Sequence, residues 1–155
     1  MAGTIDARLS QLGIELPEAA APVANYVAYA ASGNQVYLSG QVTAWNGEFR
    51  FIGRLGQEFG VDEGYQAARL CALNLIAQVK AACGGDLDRV VRCVKLGGFV
   101  NSTPDFTDQP KVINGASDLM VEVFGDKGRH ARFAVGAATL PLGVAVEIDA
   151  VFEIA

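Results

Sequence analysis

The chain has 155 residues, 51% hydrophobic and 19% charged, and its 17 acidic and 12 basic side chains give a formal net charge of −5. That length suits a single domain over 1–155 that buries roughly two-thirds of its unfolded surface, and a charged share below the usual quarter or so, beside so high an apolar content, points to a subunit interface. No block of consecutive basic residues occurs, which argues against nucleic acid as a partner. The start lacks the order of a signal peptide and no apolar run reaches membrane-spanning length, so no membrane partner and a cytoplasmic location are expected.

Ile5, Leu9 and Leu12 follow Thr4 at helical spacing, and Gly13 stops the run, which predicts a short N-terminal helix capped by Thr4. Pro17 and Pro22 then bracket a connector. Tyr26–Ala30 and Gln35–Ser39 flank the turn formers Gly33 and Asn34, a hairpin signature. Gly40 closes the second strand, where glycine permits close approach to the backbone or an unusual dihedral pair. A third strand is read over about Glu48–Ile52, within a glycine-punctuated stretch that lacks any nucleotide-binding spacing.

Asp62–Cys83 reads as the long helix, with acidic residues in its first turn, a broad stripe through Ala68, Cys71, Leu75 and Val79, and Gly84-Gly85 as its stop. Val90–Asn101 is the fourth strand, with a bulge expected at Gly97-Gly98. A second long helix runs from about Pro110 or Lys111 to Phe124, ended by Gly125. Two strands, split by Leu140-Pro141-Leu142-Gly143, finish the chain. Cys71, Cys83 and Cys93 form no Cys-x-x-Cys pair and His130 is the single histidine, so reduced core cysteines and no metal are expected. The order is β-β-β-α-β-α-β-β after a short N-terminal helix, an α+β fold whose two helices pack on one face of a mixed sheet.

Two charges fall inside the apolar C-terminal strands, Arg132 and Glu147, and each requires solvent, a partner charge or a ligand. Their surroundings, Ala131-Arg132-Phe133-Ala134-Val135-Gly136, Leu140-Pro141 and Val146-Glu147-Ile148-Asp149-Ala150, resemble the C-terminal signature of the RidA/YjgF family. Tyr26, Ser39-Gly40-Gln41 and Asn114 resemble further positions of that pattern. The likeness runs from about Tyr26 to the C-terminus and leaves the arm 1–21 outside it.

The resemblance implies a chorismate-mutase-like fold, a homotrimer with clefts between subunits, and no cofactor. It implies that Arg132 holds a substrate carboxylate, Glu147 activates water, Tyr26 donates a hydrogen bond near the reacting nitrogen, and Ser39, Gly40, Ala134 and Asn114 contact the substrate. The implied reaction is hydrolysis of 2-imino or enamine acids to 2-keto acids and ammonia. The alternative is a non-enzymatic homotrimer that binds small carboxylate metabolites. Ala134 where a cysteine is common, and Phe133 in place of a small residue, mark a divergent branch.

The chemistry of the residues agrees with these roles, since a guanidinium fork matches a carboxylate and a carboxylate can accept a proton from water. His130 reads as a polar residue near a strand start. If the last two strands form a simple hairpin about Pro141 and Leu142, Arg132 faces roughly Val151, on the same side as Glu147 and about 13 Å from it.

Overall fold

The computed structural model describes residues 3–22 and 24–155; Met1, Ala2 and Val23, and with them the reading of the first two residues, lie outside it. Alternation builds the first hairpin. Strand β1 (Tyr29–Ser32) pairs antiparallel with β2 (Gln35–Gln41), in which Val36 and Leu38 are buried while Tyr37 between them is exposed. Helix α2 (Val61–Ala82) starts from Gly60, whose N–H donates to the Glu63 carboxylate at 2.7 Å. It ends where Gly84 and Gly85 take positive φ of 65° and 93°, a conformation that favours glycine. Strand β5 (Val90–Asn101), helix α3 (Gln109–Phe124), β6 (Ala131–Ala137) and β7 (Val146–Ile154) follow.

The five strands order as β1-β2-β7-β5-β6, with β5 and β6 parallel and the other pairs antiparallel. Helices α2 and α3 cover one face of this mixed sheet. Leu75, Ile76, Ile113, Leu119 and Met120 from the helices meet Leu96, Ile148 and Phe152 from the strands in a fully buried core. The opposite face carries Tyr37, Phe99 and Val135 in exposed positions.

Helix α1 (Thr4–Gln11) is pinned from a distance: Asp88 accepts the N–H groups of Thr4 and Ile5, each at 2.9 Å. Thr4 is therefore the first helical residue, and the cap expected of it is supplied by a carboxylate far along the chain.

Three further expectations change. The third strand is not in the main sheet: β3 (Ala44–Trp45) and β4 (Glu48–Phe49) form a separate ribbon about Asn46 and Gly47, at φ 49° and 86°. Phe51, at φ 53°, then breaks the extended run. Gly97 and Gly98 hold no bulge, since the irregularities of β5 fall between Val90 and Arg92 and between Cys93 and Lys95. Instead a Cβ on Gly97 would strike Asp149 and Phe133, and one on Gly98 would strike Ile113 at 2.7 Å. Finally, β6 and β7 make no hairpin, because β5 lies between them. Leu142, at φ 62°, turns the chain through a short helical turn from Pro141 to Gly143, and β7 enters the middle of the sheet.

Candidate functional site

Arg132 lies on edge strand β6. It pairs in register with Leu96 of β5, which in turn pairs with Ala150 of β7, and these two are buried against the helices. Directly opposed residues share a face, so Arg132 sits on the helix side. Its Nη1 donates to Ser117 Oγ at 3.1 Å and its Nη2 to the Pro110 carbonyl at 3.2 Å. Arg132 belongs to none of the ion pairs among the described residues. Ala134 continues the same face two residues on. On α3, Pro110, Asn114 and Ser117 fall at i, i+4 and i+7, one stripe of the helix. Arg132 and Ala134 thus share the helix side of β6, and the exposed Asn114 lies on the stripe of α3 whose Pro110 and Ser117 accept from Arg132.

Glu147 registers with Phe99, which registers with Val135, all on the open face. Within one chain Arg132 and Glu147 therefore face opposite sides of the sheet. The same-side hairpin geometry is overturned, because inserting β5 changes both distance and parity. Glu147 is half-buried, and loss of hydration, followed by the charge of Asp149, raises its carboxyl above the ordinary value of 4.5.

Ser39 and Gly40 sit at a bulge: Leu38 pairs with Ala150 and Gln41 with Ile148, so these two residues oppose Asp149 alone. A Cβ on Gly40 would overlap the Glu147 carboxylate and approach its Cδ at 3.1 Å. Gly40 is thus the residue whose bareness admits that carboxylate. Ser39 Oγ donates to the Val27 carbonyl at 2.6 Å, tying the loop that carries Tyr26 to β2. Tyr26 lies in that loop before β1, not on a strand, and is 52% exposed.

Of the candidate residues, Arg132 and Ala134 lie on the helix side of the sheet and Glu147 on the open face, with Gly40 against Glu147 and Ser39 tying the Tyr26 loop to β2. Residues 6–153 match the family described as YjgF/chorismate mutase-like, putative endoribonuclease. The chain belongs to that family.

Among its relatives, Protein TCP17 of Trypanosoma cruzi is 54% identical over 153 residues, covering 98% of this chain and 95% of that one. The crystal structure of Atu1372 from Agrobacterium tumefaciens, a protein of unknown function, is 50% identical with a TM-score of 0.91, covering 97% of this chain and 92% of that one. A putative endoribonuclease from Shewanella oneidensis is 39% identical with a TM-score of 0.94, covering 98% and 100%. RidA from a Psychrobacter is 28% identical with a TM-score of 0.59, covering 90% and 94%, so this YjgF member stands on a branch diverged from RidA.

Two features of this family member escaped the sequence reading. Ser117 Oγ lies 2.8 Å from His130 Nε2, and His130 Nδ1 lies 2.6 Å from the Gly128 carbonyl, so a serine and a histidine join Arg132 in one network. The proximity of His130 to Arg132 in sequence was the only available signal. Beyond Pro110, Gln109 and Gly136 line a cavity of about 310 Å³ with Arg54, Ser102 and Thr103. Arg54 donates to the Ser102 carbonyl at 2.7 Å and joins none of the ion pairs among the described residues. Nothing in the sequence linked Arg54 to the strands that it meets. The three cysteines are buried and unpaired, and burial pushes the Cys93 thiol up to about 12. No helix among the described residues is long and apolar enough to cross a membrane.

Proposed function

We propose that the protein hydrolyses 2-imino or enamine acids to 2-keto acids and ammonia, in clefts formed between copies of a homotrimer. The observation that carries this reading is the division of the site. A cation without a counter-ion among the described residues faces the helix side of an edge strand, and a carboxylate of raised proton affinity faces the open side, two strands away. A second copy laid against the open face can bring its own edge strand to Glu147. The exposed Tyr37, Phe99 and Val135 on that face favour such an assembly.

In the cleft, Arg132 grips the substrate carboxylate with the donors that Ser117 and Pro110 leave unused. Glu147 accepts one proton of water as the oxygen bonds to C2 and returns it to the imine nitrogen, giving a carbinolamine. The hydroxyl proton then passes through Glu147 to that nitrogen as the C–N bond breaks, which releases ammonia and leaves the keto acid. A carboxylate whose pKa is raised by partial burial is a better base for this step than one in water. Orientation supplies much of the gain, since imines also hydrolyse unaided.

The test generates the imine in situ with an amino-acid oxidase and follows ammonia release. Arg132→Ala and Glu147→Gln are each expected to abolish the acceleration. When the two inactive chains are mixed and reassembled, about a quarter of the clefts regain both groups, and activity returns in that proportion. Carboxylate binding without turnover in the unaltered protein would overturn the reading in favour of a binding function.

A further inference from the structure

Next to Arg132 is a polar assembly that the hydrolysis above does not use. His130 and Arg132 flank Ala131, so both lean toward α3, where they meet the same hydroxyl. The directions of these bonds are fixed. A carbonyl oxygen only accepts, so His130 Nδ1, 2.6 Å from Gly128 O, carries the ring proton. In the neutral ring Nε2 is then a bare acceptor, and the Ser117 hydroxyl, 2.8 Å away, must donate to it. Arg132 Nη1 donates to the same oxygen at 3.1 Å. Ser117 Oγ is left with its proton committed, one lone pair occupied by the guanidinium and one lone pair free. Ser117, His130 and Arg132 are all partly exposed, so the assembly lies at the surface beside the guanidinium and not in the core.

Burial lowers the imidazole pKa below 6.5, the Gly128 bond works against that shift, and the nearby Arg132 charge adds to it. The neutral ring is therefore the form present at neutral pH.

We propose that Ser117 is a ligand-contacting residue that accepts an N–H of a 2-amino or 2-imino acid whose carboxylate Arg132 holds, and that His130 is the positioning residue that sets the direction of the Ser117 hydroxyl. The proposal rests on the reading of Arg132 as the carboxylate anchor. In such acids the nitrogen and the carboxylate are on adjacent carbons, and here an acceptor and a donor fork are also adjacent, 3.1 Å apart. Keto acids and simple carboxylates lack the N–H and gain nothing from that acceptor.

Protonation of His130 reverses the arrangement. Nε2 then donates to Ser117 Oγ, the hydroxyl proton swings free, and the acceptor facing the ligand becomes a donor. An ammonium ligand loses its partner and meets a second positive charge, while a bare carboxylate gains a donor. The other charged groups on the elements packed against the ring are Lys111, Asp118 and Glu122 on α3, Asp126, Lys127 and Arg129 before β6, and Arg92 and Lys95 on β5. Lys111 pairs with Asp108, and Lys95 lies over the Phe133 ring. Asp118 accepts from Tyr65, Glu122 pairs with Arg69, Asp126 pairs with Arg129, and Arg92 donates to the Arg129 carbonyl.

The test measures binding of alanine and of pyruvate by calorimetry between about pH 8 and about pH 5, the range in which an imidazole titrates. It uses the Glu147→Gln protein, so that this carboxylate cannot contribute to the profile. Alanine is expected to weaken about tenfold toward acid while pyruvate tightens, a crossing that a loss of stability, which weakens both, cannot produce and that the bare charge of the imidazolium would leave in place without Ser117. Ser117→Ala and His130→Gln are each expected to flatten both profiles, and Ser117→Thr, which keeps a hydroxyl, to restore the crossing. Parallel profiles with binding still lost in Arg132→Ala would overturn this proposal alone. Binding of both ligands that is indifferent to Arg132→Ala would overturn it together with the anchor reading.

Discussion

Replacing Gly40 with alanine should cripple the site while sparing the fold. The added Cβ would lie 3.1 Å from Glu147 Cδ, whereas carbon atoms rest about 3.5–4.0 Å apart, so the carboxyl group must retreat by about half to one ångström. Gly40 is exposed and lies within a bulge, so no core packing is lost. A displacement of about 1 Å in a catalytic group can cost about 10²-fold, equivalent to about 2.7 kcal/mol at the transition state. The assay is ammonia release from an imine made in situ, with kcat and KM resolved and the melting temperature recorded in parallel. Activity within about threefold of the unaltered protein, with the variant folded, would show that the position of this carboxylate does not matter and would refute the reasoning.

Gly98→Ala forces a Cβ to within 2.7 Å of Ile113, and overpacking of this kind costs about 1–3 kcal/mol; thermal denaturation should show the loss, and pairing the change with Ile113→Val should recover part of it. Asp88 accepts the first N–H groups of α1, chiefly Ile5 and then Thr4, which lowers its pKa. Its contribution is present above the unfolded pKa and fades as pH falls through the lower folded value, so the protection of Thr4–Gln11 against hydrogen exchange, relative to the unstructured rate at each pH, should fall in acid, and Asp88→Asn should remove that step. Glu147 has the opposite sign. Its pKa is raised, chiefly by burial, so the folded state favours the protonated form and loses stability as pH rises through the folded value. Glu147→Gln should therefore melt higher than the unaltered protein at about pH 7 and match it at about pH 3, where both side chains are uncharged.

The elements with a strong period were legible. The stripe through Cys71, Leu75 and Val79, closed by Gly84, located α2 to within a residue, and the apolar run from Val90 to Asn101 gave β5 its observed bounds. What escaped was long-range. Glu48–Ile52 has strand-like composition, but Asn46-Gly47 and the positive φ of Phe51 confine pairing to two residues on each side. No local signal announces that β5 inserts between β6 and β7, and that single crossover decides which face each charge occupies. The identities of Arg132 and Glu147 could be read from residue type and resemblance, but their separation onto two faces could not. Ser117 was equally hidden, because a serine in a helix gives no sign of the histidine and arginine that another strand will bring to it.

Of the five strands of the sheet, the central one is synthesised after the other four. Residues 146–154 supply the ladder between β2 and β5, and without them β1-β2 and β5-β6 share no backbone pairing. The earlier hairpin and helices can leave the ribosome before this strand, but their apolar faces have no completed sheet to close on until it emerges. A nascent chain stalled short of Val146 would therefore be a chaperone client, and truncation there would remove the seam of the molecule, not a dispensable tail.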